Sequence, residues 1–190
     1  LVTVSVTDGS ESVSQQFTAT VTAVNDVPVI AAINDTTTNE DSALELLLSA
    51  TDSDGDAVTF TAVSSNTDNV STDISGSLLT LTPSLNFNGS VTISVTANDG
   101  TEDSNVEIFT LTVSPVNDAP ILSAIADTTT QEEVAVELTL TATDVDGDAV
   151  TFTAVSSDTD NISTDISGSL LTLTPALNFY GSAVITVTAN

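Results

Sequence analysis

Apolar and polar residues alternate along most of this chain: Leu44, Leu46 and Leu48, then Val58, Phe60 and Ala62, then Leu79 and Leu81, then Val91, Ile93 and Val95, then Phe109, Leu111 and Val113. Thr or Ser fills most of the positions between. A period of two puts such side chains on one face of a strand, and β-branched residues fit that pleated surface. Turn signals punctuate the runs at Asp54-Gly55, Ser75-Gly76, Asn88-Gly89 and Asp99-Gly100. No segment carries a helical period over a useful length. About seven short strands in roughly 90 residues predict an all-β fold, an immunoglobulin-like β-sandwich.

The pattern itself repeats. Asn25-Asp26-Val27-Pro28 returns as Asn117-Asp118-Ala119-Pro120, and 117 minus 25 gives a period of 92. Residues 51–89 and 143–181 obey the same offset and differ at only five positions: Ser53/Val145, Asn66/Asp158, Val70/Ile162, Ser84/Ala176 and Asn88/Tyr180. Such near-identity points to duplication within a long array. The frame of the chain is offset from the frame of the repeat. Residues 1–24 read as the last two strands of an upstream repeat, with Asp8-Gly9 as their hairpin, residues 25–116 as a complete repeat, and residues 117–190 as the next repeat without its final strand. With no Met at position 1, the chain reads as an internal piece of a larger protein. An unpaired sandwich edge invites a strand, so residues 1–23 of one copy are expected to be able to complete residues 117–190 of another, joining copies head to tail.

Charge changes this picture. The 190 residues include 27 Asp and Glu and no Lys, Arg or His, a formal net charge of −27. Disorder would be the usual expectation for such a balance, but 40% of the residues are apolar and they are arranged as strands. No carboxylate can find a cationic side chain, so acids held close together must be spread in water, protonated, or neutralised by a cation from solution. The same field repels nucleic acid and anionic lipid, and no apolar run approaches the length of a membrane span. Neither nucleic acid nor direct membrane insertion is expected. Cys is also missing, so with no disulfide the stability must come from packing, with metal as the one further source open to it.

Three acid-bearing motifs recur once per repeat. Asp52-Ser53-Asp54-Gly55-Asp56 and its copy Asp144-Val145-Asp146-Gly147-Asp148 set three carboxylates on alternate residues around a glycine, the convergence of hard oxygens that Ca²⁺ takes. An ordinary solvated Asp-Gly turn is the alternative. An EF-hand it is not, because Val63 and Val155 stand where the twelfth-position Glu would be and strand-type sequence follows. The linkers Val24-Asn25-Asp26-Val27-Pro28 and Val116-Asn117-Asp118-Ala119-Pro120 offer side-chain oxygens at a repeat boundary, or are simply stiff turns. Asn39-Glu40-Asp41 and Gln131-Glu132-Glu133 precede an apolar strand; exposed acids in such places are commonly only solvated. Glu40 and Glu132 join the candidate metal ligands by association with the other two motifs.

These residues resemble the cadherin-like and Ig-like tandem repeats of large bacterial surface adhesins and, more distantly, animal cadherins. Ala50-Thr51-Asp52-Ser53-Asp54-Gly55-Asp56 is similar to the cadherin A-x-D-x-D-x-G element, Val24-Asn25-Asp26-Val27-Pro28 to its N-D-N-x-P linker, and Val95-Thr96-Ala97-Asn98-Asp99-Gly100 to its V-x-A-x-D-x-G strand end. The resemblance implies calcium at repeat junctions, one using Glu40, Asn117, Asp118, Asp144 and Asp146, and the other Asn25, Asp26, Asp52 and Asp54. It departs at Leu85-Asn86-Phe87-Asn88, where cadherins carry an acidic D-R-E, which implies fewer ions per junction. Phe87 and Phe179 read as plugs of the core.

The functional expectation is an extracellular stalk or filament repeat, secreted or attached to a bacterial cell surface, with neighbouring repeats of the same chain as partners and calcium as the stiffening ion. A module that binds carbohydrate or protein is the alternative, weakened by the scarcity of exposed aromatics. Catalysis is not expected, because no His, Cys, Lys or Arg is present to tune the acids.

Overall fold

The computed structural model describes residues 1–190 and contains strands and turns but no helix. The chain divides into two compact units, Leu1–Ser114 and Pro115–Asn190.

The first unit opens with a hairpin of β1 (Val2–Thr7) and β2 (Ser12–Phe17), paired antiparallel from Val2↔Phe17 to Thr7↔Ser12, and every residue of both strands is exposed. The Asp8 carboxylate makes the turn by accepting from the Ser10 and Glu11 N–H groups, both at 2.9 Å. A sandwich follows, built from β3 (Val29–Ile30), β4 (Thr36–Asn39), β5 (Leu44–Leu47), β6 (Ala50–Thr51), β7 (Thr59–Ser64), β8 (Val70–Ser75), β9 (Leu78–Pro83), β10 (Gly89–Asn98) and β11 (Glu107–Ser114). One sheet has the order β4-β11-β10-β7 and the other β5-β9-β8, while β3 and β6 form a short pair of their own. All pairings are antiparallel except β4 with β11, which run parallel from Thr36↔Leu111 to Asn39↔Ser114.

The core lies between the inner faces of these sheets, where the alternation places it. Leu79 and Leu81 of β9, Val91, Ile93, Val95 and Ala97 of β10, and Phe109, Leu111 and Val113 of β11 are buried together, joined by Ile30, Leu48 and Val70. Leu44, Leu46, Val58, Phe60, Ala62 and Phe87 pack against this cluster half-buried. Along β9, β10 and β11 every second residue is buried, and a slip of one position would turn the whole apolar set of such a strand to water.

The second unit repeats most of this: β12 (Ile121–Leu122), β13 (Val136–Thr139), β14 (Ala142–Thr143), β15 (Phe152–Ser156), β16 (Ile162–Ser167), β17 (Leu170–Pro175) and β18 (Ile185–Ala189). Its sheets are β13-β17-β16, β15-β18 and β12-β14. Counterparts of β4 and β11 are missing from it. Residues 128–131 match β4 at the 92-residue offset but form no strand, since β4 is held only by its pairing with β11. Leu140, Leu171 and Leu173 are its buried apolar residues, with Ile162, Ile185 and Val187 packed half-buried against them.

Candidate metal centre

Each repeat holds its Asp-x-Asp-Gly-Asp loop against the linker through which the chain enters it. Within Asp52–Asp56, the Asp52 Oδ1 atom accepts from the Asp54 N–H at 2.9 Å and from the Asp56 N–H at 3.1 Å. Gly55, at φ +84°, supplies the left-handed step that wraps the loop around that oxygen. The result brings one carboxylate oxygen from each of Asp52, Asp54 and Asp56 within 4.8 Å of one another. The other oxygen of Asp52, Oδ2, is buried and has no hydrogen-bond partner.

The linker is fastened to this loop. Asp26 donates its N–H to Asp54 Oδ2 at 2.7 Å, and the Asn25 side-chain amide reaches Asp99 Oδ2 at 2.9 Å. Asp99 sits in the β10–β11 connection, where its Oδ1 accepts from the Thr101 and Glu102 N–H groups, both at 2.7 Å. The Glu102 N–H, then the Asn25 amide and the Thr101 N–H, hold the Asp99 carboxyl below its ordinary range, because each donor stabilises the anion. Asp8 is held low in the same way, by the Glu11 and Ser10 N–H groups.

The second repeat rebuilds the loop with the same partners. Asp144 Oδ1 accepts from Asp146 at 3.0 Å and from Asp148 at 3.2 Å, and Asp118 donates its N–H to Asp146 Oδ2 at 2.7 Å. Asn117 turns its amide onto the Asp118 carbonyl at 2.8 Å. Asn117, Asp118, Asp144 and Asp148 line a cleft of about 340 Å³ with Pro120 and Val150.

The structure therefore brings Asp52, Asp54 and Asp56 together with Asn25 and Asp26, and Asp144, Asp146 and Asp148 with Asn117 and Asp118. Glu40 directly follows β4, is only 3% exposed, and donates its backbone N–H to the Ser114 carbonyl at 2.9 Å. Glu132, its equivalent, is exposed. Asp99 is a site residue that motif spacing did not assign, although its strand-end motif was legible; the signal was the Asp-Gly turn at the same place in both hairpins, Asp8-Gly9 and Asp99-Gly100.

Chemically, the cluster offers only hard oxygens, several on flexible carboxylates, which suits calcium rather than a metal that prefers nitrogen or sulfur. The orphaned Asp52 Oδ2 fits that reading too, since a buried carboxylate oxygen normally finds a donor. No helix of the structure is long and apolar enough to cross a membrane.

Comparison with known structures finds human protocadherin-24 EC1-2, form II, at 16% identity over 87% of each chain with a TM-score of 0.57. It also finds surface layer protein SbsC, domains 4–9, at 16% identity over 97% of this chain and 32% of that one, with a TM-score of 0.36. The first is a likeness of fold, all-β and cadherin-like. No curated protein matches. A model described as "Bacterial Ig domain" matches residues 25–112 and again 117–190, so that both repeats are covered and the chain belongs to that family.

Proposed function

We propose that this chain is a stalk segment of an extracellular, adhesin-like bacterial surface protein, in which calcium fixes the direction at which the polypeptide enters each repeat. The carrying observation is the three-carboxylate loop with its buried, unpartnered Asp52 Oδ2, in a chain that has no cationic side chain to neutralise it. A bound Ca²⁺ would supply the missing positive charge. Asp52, Asp54 and Asp56 would hold it in the first repeat, with Asn25, Asp26 and Asp99 close by, and Asp144, Asp146 and Asp148 with Asn117 and Asp118 in the second.

The protein's own contribution is to tie linker and loop together. Asp26 N–H on Asp54 and the Asn25 amide on Asp99 already hold the entering segment against two loops of its repeat. Relief of carboxylate repulsion would tighten this fastening, while chelation would loosen it. Extracellular modules bind calcium at about 10⁻⁴ to 10⁻³ M, so the stalk would stiffen on leaving the cell. Membership of the bacterial Ig family and the tandem arrangement support a surface role, because repetition extends reach without new chemistry. The absence of His, Cys, Lys and Arg supports a non-catalytic one. The test is calcium titration by calorimetry with scattering in EGTA. Heat of binding and a longer maximum dimension with calcium are expected; no heat, and one dimension in both buffers, would overturn the proposal.

Head-to-tail self-association is a second reading. It is supported by an open groove of about 1400 Å³ in the second unit, lined by Leu138, Leu171, Leu173, Phe179, Ile185 and Val187 among others. The exposed hairpin residues Val4, Val6, Val13 and Phe17 offer a matching apolar edge. Sedimentation at high concentration should show oligomers, and monomers alone would exclude it.

A further inference from the structure

Buried Glu40 stands beside an asparagine of unusual sequence context. The Asn88 side-chain amide donates to Glu40 Oε2 at 3.4 Å, while the backbone N–H of Asn86, two residues earlier, donates to Asp41 Oδ1 at 3.0 Å. The 84–88 loop thus meets the acidic turn after β4 with donors rather than with charges. Asn88 itself is exposed and immediately precedes Gly89, the first residue of β10.

The glycine there is dictated by the fold. Gly89 adopts φ +140°, and a Cβ on it would lie 3.3 Å from the Phe87 ring. In the second repeat a Cβ on Gly181 would lie 2.9 Å from the Phe179 ring. Position 89 can therefore carry no side chain to shield its neighbour. Every other internal asparagine of the chain is followed by a residue with a Cβ. The second repeat keeps the glycine but replaces the asparagine with Tyr180, which has no amide to lose.

We propose that Asn88 is a site of spontaneous deamidation, which sets a carboxylate beside buried Glu40 and loosens the first repeat as the protein ages. The Gly89 backbone nitrogen attacks Asn88 Cγ, a C–N bond forms, and the side-chain nitrogen leaves as ammonia, closing a succinimide. Water then opens that ring at either carbonyl to give aspartate or isoaspartate; overall, an amide and water become an acid and ammonia, with no oxidant or reductant. Strand ends fray, so the Gly89 nitrogen is freed from the ladder more often than those farther along β10. Glycine's wide conformational range then lets it reach the side chain. The product exchanges a hydrogen-bond donor for an anion facing Glu40, in a chain with no Lys, Arg or His to offset it. This inference stands apart from the calcium reading, because the first repeat should loosen with no metal present.

The experiment ages the intact 190-residue chain in warm, mildly alkaline buffer with EGTA and follows it by peptide mass mapping. Mass gain of one unit should accumulate at Asn88 about tenfold faster than at any other asparagine, given the freedom of the glycine that follows it. Gain spread evenly over the asparagines, or absent from Asn88, would overturn the proposal. In parallel, Asn88→Asp should lower the melting temperature of the first repeat in EGTA, Asn88→Gln should not, and Glu40→Gln should abolish the difference between Asn and Asp at 88. An Asn88→Asp chain that melts with the wild type would overturn the consequence for stability.

Discussion

Residues 51–89 and 143–181 differ at only five positions, yet equivalent residues on either side of that stretch are buried differently in the two repeats. Ile93 is fully buried, whereas its equivalent Ile185 is only half-buried, and Glu40 is inside while Glu132 is out. The cause lies elsewhere in the chain. In the first repeat β11 pairs with β10 on one side and β4 on the other, covering the sheet and drawing Glu40 against Ser114. No residues of the second unit do this, so its sheet keeps an open groove. The acidic loops, by contrast, match to within about 0.1 Å in each corresponding hydrogen bond, because they are closed by local carboxylate-to-backbone contacts. Local chemistry copies itself with the sequence; a core needs its remote partners.

Emptying the two cores in turn should separate the repeats most widely. Ile93→Ala should cost about 3 kcal/mol, in the range for truncating a fully buried aliphatic residue, and Ile185→Ala about half that. Chemical denaturation followed by circular dichroism reports both repeats together, while amide hydrogen exchange resolves the loss in each repeat separately. Equal losses would mean that β11 does not account for the difference. A peptide of residues 103–116 added in trans should seat beside β18 and raise the stability of the second repeat, by about 2.7 kcal/mol at one hundred times its dissociation constant. Hydrogen exchange in the second repeat that ignores the peptide would count against the groove as a strand site.

Calcium should treat the repeats alike where their cores differ. At ten times the dissociation constant each repeat should gain about 1.4 kcal/mol, with Asp52→Asn cancelling the gain in the first and Asp144→Asn in the second. Melting in calcium against EGTA decides it, and unchanged transitions would remove the ion from the account.

The smallest effect concerns acid. Asp99 is held below its ordinary value of 3.8, so its contribution to stability is complete above that value and is lost as pH falls through the lower folded pKa. Asn25→Ala removes one of its donors and should raise the Asp99 pKa, moving the acid-unfolding limb of the first repeat to higher pH. Carboxyl titration by NMR reads the residue directly, and an unmoved Asp99 would show that the Asn25 contact contributes nothing.

Much of this was legible in the sequence because it is periodic or local. Alternation gave the inward faces of β9, β10 and β11, and the 92-residue offset aligned the repeats. The Asp-x-Asp-Gly-Asp spacing announced the loops. What escaped was long-range. Thr36–Asn39 has no apolar alternation, so nothing in it announces a strand, and it becomes β4 only through pairing with residues some 75 positions later. Asp99 escaped assignment to the site for the same reason: its contact with Asn25 spans 74 residues, a distance that motif spacing does not encode.

The parallel run of β4 alongside β11 also determines how the first repeat would answer a pull. One strand lies near the entry of the repeat and the other at its exit, and parallel strands tugged from opposite ends slide lengthwise rather than peel. Tension along a tether would thus be met by all four residue pairs from Thr36↔Leu111 to Asn39↔Ser114 at once, with the Thr110 N–H on Asp35 at 2.7 Å as an added bolt. Rupture by shear would demand breaking them together, so in a chain under load this small threonine strand would carry the resistance of the domain.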